Sequence, residues 1–277
     1  MGTPPWRACV RPLFSRFKDT ITRFGVDAAT MPGVIVQRDA GHYLVYTPFE
    51  GVNPHARLCL VGITPGPTQV IDAYGCIRSL AIRAEDPADF EKIKRFATFS
   101  GSAVRPNLVK LLNGTGVTDL MGLESAQQLW EDAGAHLLHA TSVVPHAAFS
   151  QSGSPFNGSF AEVLKSKAMR SSFEKDFVPS LQQLPSDCLF IGLGPTPHEA
   201  LKWCAQRKLI PESNILGSFP HPSGNGGSQT DLYLGLRSIE SLKPNDPVRH
   251  RGYLLDWSAE LRARVDELRA GPSLTPA

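Results

Sequence analysis

The spacing of hydrophobic residues changes along the chain, from alternation near residues 34–46 to short apolar runs further on. Segments 34–37 and 43–46 flank Asp39-Ala-Gly41, a turn sequence typical of a β-hairpin. Beyond this hairpin, short apolar runs alternate with amphipathic segments. The runs lie at residues 58–61, 137–140, 188–191 and 214–217, and helices are predicted near 14–24, 89–97, 107–112, 126–133, 160–184, 198–207 and 257–269.

Short apolar strands that alternate with helices are typical of a parallel sheet buried on both faces. We therefore predict an α/β fold in which a single domain, residues 31–270, has a central parallel sheet flanked by helices. Residues 1–30 are predicted to form a helical N-terminal extension, and residues 271–277 a disordered tail. In sheets of this kind, ligand-binding groups gather beyond the carboxyl ends of the strands.

Composition narrows the class of protein without naming a function. Hydrophobic residues make up 42% and charged residues 19%, as in ordinary globular proteins, and the net charge of +2 permits a nucleic-acid partner without requiring one. The five cysteines lack C-x-x-C spacing, which argues against disulfides, structural zinc and iron–sulfur clusters. Because neither a secretory signal nor a membrane-spanning run is visible, we expect a cytoplasmic monomer without metal, cofactor or membrane contact.

The first candidate loop follows the apolar run at 58–61 and reads Gly62-Ile-Thr-Pro-Gly-Pro67. Its two glycines let the backbone approach a ligand closely, and its two prolines stiffen the turn. The same residues would also suit a plain connection between a strand and a helix. This loop alone does not decide between the two interpretations.

The second candidate loop follows the last apolar run and places His221 between two prolines. Ser223, Gly224 and Asn225 come next, and their backbone N–H groups and hydroxyl are suited to holding phosphate oxygens. A lone histidine is usually structural. One that is braced by prolines and followed by small hydrogen-bonding residues is a candidate for chemistry.

In this order, the two loops resemble the motifs of the uracil-DNA glycosylase superfamily. The first motif of that family is a strand followed by a G-x-x-P-G type loop, and the second is H-P-S. The nearest branch is the single-strand-selective monofunctional one, whose first motif reads G-M-N-P-G-P. The similarity extends through Ser100-Gly-Ser-Ala-Val-Arg105, residues 138–140 and residues 190–194, and covers roughly residues 55–240.

The resemblance implies a uracil-DNA glycosylase-like fold and an enzyme that flips a nucleotide out of DNA and cuts the bond between base and deoxyribose. The base leaves as an anion, so that a donor must face it while phosphates are held and a water attacks the sugar. His221 matches the family's leaving-group stabiliser, as a neutral imidazole that donates a hydrogen bond. Neither motif contains a lysine, so no lyase step is predicted.

Three positions depart from the family pattern, and together they predict a larger and less uracil-specific pocket. Thr64 replaces an asparagine that positions water, and a hydroxyl offers fewer hydrogen bonds than an amide. Ala140, next to His139, replaces the asparagine that reads the uracil edge, so that this discrimination is lost. Gly66 stands where the uracil-specific enzyme has a tyrosine beside the C5 position.

A larger pocket favours a cytosine with a bulky 5-substituent, such as the glucosylated hydroxymethylcytosine of some phage genomes. The same pocket argument suggests a resemblance to the bacteriophage replication inhibition DNA glycosylases, which act in anti-phage defence. Two other hypotheses stay open. One is a glycosylase for uracil or 5-hydroxymethyluracil, and the other is a module that binds flipped or damaged bases without cutting.

Further candidates each have an ordinary structural alternative. Asp72 would activate water or lie solvated at the start of a helix, and Tyr74 would stack on the base or belong to the core. Asn157 would read the base or simply form a turn, while Gly194 and Thr196 would bind a phosphate or cap a helix. The predicted base-binding residues are Gly62, Ile63, Gly66, Tyr74, His139, Ala140 and Asn157, and the predicted DNA-binding residues are Ser100, Gly194, Thr196, Ser223, Gly224 and Asn225.

Overall fold

The computed structural model describes residues 12–79, 87–224 and 228–271. Its centre is a four-stranded sheet of order β4-β3-β6-β7, in which every neighbouring pair is parallel. A separate antiparallel sheet has the order β1-β2-β5. The strands are β1 (Ile35–Arg38), β2 (His42–Val45), β3 (Leu58–Gly62), β4 (Leu138–Ser142), β5 (Ala147–Ser150), β6 (Leu189–Leu193) and β7 (Ile215–Phe219).

Helices cover both faces of the parallel sheet. The α-helices are α1 (Pro12–Phe24), α2 (Pro67–Ser79), α3 (Pro87–Ala97), α4 (Val104–Gly114), α5 (Val117–Leu120), α6 (Phe160–Lys165), α7 (Lys167–Ser172), α8 (Val178–Leu181), α9 (Pro195–Gln206), α10 (Gln229–Tyr233) and α11 (Tyr253–Ala270). This arrangement confirms the predicted α/β fold, a single domain with a central parallel sheet flanked by helices.

Alternate residues of the central strands point to opposite faces of the sheet and enter different hydrophobic clusters. Leu58 and Leu60 pack with α4, α10 and α11, whereas Cys59 and Val61 pack with α6, α7 and α9. A third cluster joins α1, α2 and α3 to the antiparallel sheet, and α1 contributes Phe14 to it. Burial on both faces explains why the strands read as continuous apolar runs in the sequence.

The predicted hairpin is confirmed as β1 and β2, and Asp39 organises its turn. The carboxylate accepts hydrogen bonds from the N–H groups of Gly41 and His42, at 2.8 and 2.7 Å. It also accepts from the hydroxyl of Ser166 and the N–H of Ala168. Partial burial acts to raise the pKa of Asp39, but these four donors outweigh it and hold the pKa well below its ordinary value. The turn is thereby tied to the start of α7.

The helix predicted over residues 160–184 is wrong in one respect, because the segment is interrupted. Ser166 has an extended backbone and caps α7, its hydroxyl accepting from the N–H of Met169. A π-helical turn, Phe173–Phe177, then precedes α8. The segment predicted near 126–133 forms only a short 3-10 helix, Ala126–Trp130. Strand β5 and helices α5 and α10 were not predicted.

The predicted N-terminal extension is described only from residue 12 onward. There α1 packs Phe14, Phe17 and Ile21 into the core of the domain. The predicted tail, residues 272–277, lies outside the described residues. Among the helices of the described segments, none has the length and apolar character needed to cross a membrane.

Candidate active site

Both candidate loops leave the parallel sheet at the same edge. The carboxyl ends of β3, β4, β6 and β7 all lie there because the four strands run in one direction. Residues 63–66 follow β3, and residues 220–224 follow β7. A β-carbon placed on Gly194, just beyond β6, would lie 4.0 Å from Cβ of His221. This carboxyl edge is where ligand sites form in sheets of this kind.

A segment before and within α4 contacts both loops. At one end, the ring of Phe99 faces Gly62, since a β-carbon placed on that glycine would lie 3.3 Å from Cε1 of Phe99. At the other end, Nδ2 of Asn107 donates to the carbonyl oxygen of Pro222 at 2.9 Å. Residues 99–107 therefore connect the two loops along the carboxyl edge of the sheet.

His221 is exposed, and one nitrogen of its imidazole accepts a hydrogen bond from the protein backbone. Nδ1 accepts from the backbone N–H of Ser223 at 3.3 Å, which requires an unprotonated Nδ1. In the neutral ring, the proton then resides on Nε2, and Nε2 is free to donate. Although the side chain reaches solvent, the protein packed around it lowers the pKa of His221 by desolvation. Both observations favour a neutral donor.

Phe99 was not singled out from the sequence. It has a φ of 51°, in the left-handed region that non-glycine residues rarely adopt. Its backbone N–H donates to Oε1 of Gln69 at 2.9 Å, which supports this conformation. Such strain costs about 1–3 kcal/mol and is concentrated at functional sites. The Phe99 side chain is only 5% exposed and packs in the same hydrophobic cluster as Ala140, so that only the part of its ring near Gly62 is a candidate for contact with a ligand.

Ser142 was also missed, and it changes the interpretation of Ala140. Ala140 pairs with Leu60 within the sheet and packs in the core, whereas Ser142 pairs with Gly62 at the carboxyl edge. The Ser142 hydroxyl lies 3.3 Å from the point that a β-carbon on Gly62 would occupy. The side chain is 7% exposed, and its hydroxyl forms no hydrogen bond with the described residues. A polar group thus lies nearer the edge than the predicted alanine.

The hydroxyl of Thr64 is largely committed to the fold. It donates to the carbonyl oxygen of His146 at 2.8 Å and accepts from the N–H of Ala148 at 2.9 Å. Its single proton is therefore used, and one lone pair remains for a water. A role in positioning water stays a prediction, limited to accepting a hydrogen bond.

In the rest of the first loop, hydrogen bonds hold the backbone of Gly62 and Ile63, whereas the position of the Gly66 side chain is open. The carbonyl oxygens of Gly62 and Ile63 accept from the N–H groups of Val143 and Val144, which joins the loop to the end of β4. A β-carbon on Gly66 would meet nothing nearer than Nε2 of Gln69 at 4.0 Å. The position next to Gly66 therefore has no side-chain wall of its own.

Three predicted base-binding residues lie in the core and must be corrected: Ala140, described above, Tyr74 and His139. Tyr74 is fully buried, and its hydroxyl donates to the carbonyl of Tyr46 at 2.7 Å, so that it is not available for stacking. His139 is buried beside Cys59, on the opposite face of the sheet from Ala140, because adjacent strand residues alternate. Burial, and then the charge of Lys94, hold the pKa of His139 well below its ordinary value.

The predicted phosphate site at the start of α9 is also corrected. Pro195 and Pro197 have no N–H, and the N–H of Gly194 donates to the carbonyl of Phe219 at 2.8 Å. The hydroxyl of Thr196 is buried and donates to the carbonyl of Gly158 at 2.8 Å. Few donors remain for a phosphate, and these residues serve mainly to connect the elements around His221.

The remaining candidates differ in how closely they approach the site. Ser100 follows Phe99 and has a buried hydroxyl without a partner among the described residues. Asp72 lies on α2, close enough to Arg105 for their charges to interact. Asn157 is exposed and precedes Gly158, which α9 contacts. Ser223 is partly buried, Gly224 is exposed next to α4, and Asn225 lies outside the described residues.

The described residues contain no group of three or more histidine, cysteine, aspartate or glutamate side chains arranged to hold a metal ion. Cys59, Cys76, Cys188 and Cys204 are buried, and none of them forms a disulfide within the described residues. His221 and Ser142 offer hydrogen bonding by neutral groups at the carboxyl edge, with the ring of Phe99 near Ser142.

Comparison with known proteins adds little to this geometry. No family model matches the chain. It is 28% identical over 223 residues to the uncharacterized protein YoxB of Bacillus subtilis (strain 168), which covers 79% of this chain and 84% of that protein. SMUG2 of Pedobacter heparinus is 13% identical with a TM-score of 0.42, over 91% of this chain and 99% of that one. A likeness this low carries no argument about function.

Proposed function

We propose that this protein is a monofunctional DNA glycosylase that hydrolyses the N-glycosidic bond of a flipped base and leaves an abasic site. The observation that carries the proposal is the geometry of His221. It is an exposed, neutral imidazole whose Nδ1 accepts from Ser223, so that Nε2 presents its proton to a ligand. The role proposed for His221 is a hydrogen bond to the leaving group.

The departing base carries negative charge while the sugar becomes cationic. A donor that is already held in place stabilises this charge without reorganising, and a single such donor is commonly worth about 10²–10³ in rate. A neutral histidine suits this role better than a cationic one at the start of the reaction, because it need not lose a solvation shell. The lowered pKa of His221 keeps it neutral at physiological pH.

In this proposal Phe99, Ser142 and Gly62 form the base subsite. A β-carbon placed on Gly62 would lie 3.3 Å from Cε1 of Phe99 and 3.3 Å from Oγ of Ser142, so the ring and the hydroxyl lie close together. An aromatic ring provides a stacking surface for any base. A hydroxyl both donates and accepts, so Ser142 is able to meet either a carbonyl or an amino edge. Such a subsite does not select uracil over cytosine strongly.

The proposed substrate is a base with a bulky 5-substituent. The absence of a side chain at Gly66, together with the unselective hydroxyl of Ser142, supports a modified cytosine such as glucosylated hydroxymethylcytosine. DNA that carries this base occurs in some phages, so the biological role in this proposal is anti-phage defence. The attacking water donates a hydrogen bond to the remaining lone pair of the Thr64 hydroxyl. Asp72 is the candidate base that accepts a proton from this water.

The test is an excision assay with purified protein on three DNA substrates: unmodified, uracil-containing, and glucosylated hydroxymethylcytosine-containing phage DNA. Abasic sites are scored by alkaline cleavage. The proposal expects cleavage of the glucosylated DNA alone. Release of uracil would instead establish the uracil or 5-hydroxymethyluracil hypothesis, and binding without abasic sites on any substrate would establish the non-cutting module.

A further inference from the structure

The loop that carries His221 has no regular secondary structure, yet two side-chain amides hold it from either side. Asn107, on α4, donates to the carbonyl oxygen of Pro222 at 2.9 Å. Gln229, the first residue of α10, donates to the carbonyl oxygen of His221. Helices on both sides of the loop therefore fix two successive carbonyl groups.

These two contacts fix the peptide planes on either side of Pro222. A peptide unit is planar, so a hydrogen bond to its carbonyl oxygen also orients its nitrogen. The plane that Asn107 holds contains the N–H of Ser223, which is the donor to Nδ1 of His221 at 3.3 Å. The plane that Gln229 holds joins His221 to Pro222. Together they aim the N–H group that determines which ring nitrogen of His221 carries the proton.

The orientation of the Gln229 amide is not ambiguous. Its Oε1 accepts from Nη1 of Arg251 at 2.7 Å, and a guanidinium only donates, so the NH₂ group must face His221. Gln229 is 3% exposed, which leaves the side chain few alternative conformations. The cationic donor at one end of the amide also strengthens the hydrogen bond at the other.

We propose that Asn107 and Gln229, the latter held by Arg251, are positioning residues that keep His221 in its Nε2–H form and aimed at the site. The catalytic consequence rests on the function proposed above, whereas the state of the ring does not. Neither residue touches the substrate in this proposal. Each acts through the backbone of the loop.

The experiment uses three matched substitutions of an amide by a carboxylate, Asn107→Asp, Gln229→Glu and Asn214→Asp. Each keeps the side-chain shape and removes the N–H donors. Asn214 is the control, because its Nδ2 also donates to main-chain carbonyls, those of Ser186 and Cys188, but at the opposite edge of the sheet. Asn107→Ala and Gln229→Met remove the donor without adding charge, and they replace any carboxylate variant that does not fold.

The first readout is the long-range ¹H–¹⁵N NMR spectrum of the His221 ring, assigned by its loss in His221→Gln. The expected wild-type spectrum shows a protonated Nε2 and an unprotonated Nδ1. In Asn107→Asp and Gln229→Glu, the two nitrogen shifts move toward each other as both neutral forms become populated. In Asn214→Asp they stay as in the wild type. Unchanged shifts in both loop variants, or a wild-type ring protonated on Nδ1, would overturn the proposal.

The second readout is turnover on the DNA substrate that the wild type cuts. A misplaced catalytic group costs up to about 10²-fold in rate, so kcat should fall about 10- to 100-fold with little change in KM. Asn214→Asp should keep the wild-type kcat. Loop variants with wild-type kcat and KM would overturn the positioning role. If no form cuts any DNA, the proposed function fails, and the NMR result still decides the state of the ring.

Discussion

At both edges of the parallel sheet, side-chain amides donate hydrogen bonds to main-chain carbonyls, but they hold different kinds of structure. At the edge where the strands begin, Asn53 donates to the carbonyls of His136 and Leu138, and Asn214 donates to those of Ser186 and Cys188. These amides join the starts of neighbouring strands. At the edge where the strands end, the amides of Asn107 and Gln229 hold an irregular loop instead.

The difference lies in what is left unsatisfied. At the beginning of the strands, the amides donate to main-chain carbonyl groups and connect neighbouring strands, although Nε2 of the buried His139 has no hydrogen-bond partner among the described residues. At the end of the strands, the amides hold the loop that carries the exposed His221, and the hydroxyl of Ser142 and the strained backbone of Phe99 lie at the same edge. Uncompensated polar groups and strain reduce stability, and they persist where function needs them. We therefore expect substitutions at the first edge to change stability and substitutions at the second edge to change the proposed activity.

The largest expected effect comes from removing the His221 donor. His221→Ala should lower kcat about 10²–10³-fold, because the preorganised donor to the leaving group is lost. The matched control is His136→Ala, which changes an exposed histidine at the opposite edge. Single-turnover excision measures both variants. Equal losses in the two variants, or none in either, would remove the contrast between the edges.

The second effect is on stability and concerns the opposite edge. Asn214→Ala removes the donor to two carbonyls near the start of β6, which should lower the free energy of unfolding by about 0.5–1.5 kcal/mol. Turnover per folded molecule should stay at the wild-type value. Urea unfolding, paired with excision kinetics below the transition, checks this. A stable variant with reduced turnover would mean that this edge contributes to the chemistry.

A third, smaller effect tests the base subsite. Ser142→Ala removes the only hydroxyl placed beside Gly62 in the described part of the chain, and should lower kcat/KM about 5- to 10-fold by loss of one hydrogen bond. Thr141→Ala is the control, because Thr141 points to the other face of β4. Excision kinetics on the preferred substrate compare the two. An effect of Thr141→Ala as large as that of Ser142→Ala would argue against the subsite.

The smallest effect concerns pH and contrasts His139 with His221. In the folded protein the pKa of His139 is far below the ordinary value of 6.5, so the unfolded chain binds its proton first as pH falls. The contribution of neutral His139 to the free energy of unfolding is therefore complete above about pH 6.5. Below this pH it declines by at most about 1.4 kcal/mol per pH unit.

Urea unfolding at pH 7.5, 6.0 and 5.0 should show this slope in the wild type and a shallower one in His139→Gln. Because the pKa of His221 is also lowered, kcat should not decline where free histidine titrates. An equal slope in wild type and variant would mean that His139 is not the titrating group.

Much of the fold could be predicted from the sequence, because short apolar runs such as residues 58–61, separated by amphipathic segments, are typical of parallel strands buried on both faces. The two loops were also located, since loops after parallel strands meet at one edge. Phe99 and Ser142 could not be found in this way. Their proximity to Gly62 depends on the conformation before α4 and on the register of β4 with β3.

The errors have physical causes as well. Tyr74 was placed in the site because it follows the first loop closely, but α2 turns its ring into the core. His139 and Ala140 were taken together, although neighbours on a strand face opposite sides. The start of α9 was considered a phosphate site without counting its prolines, which remove the donors such a site needs.

The most direct test of the account is a crystal structure of the His221→Gln variant bound to DNA that contains one glucosylated hydroxymethylcytosine. The account predicts a flipped base stacked on Phe99, with its polar edge within hydrogen-bonding distance of the Ser142 hydroxyl and its substituent next to Gly66. A base that remains in the helix, or that lies away from the carboxyl edge of the sheet, would contradict it.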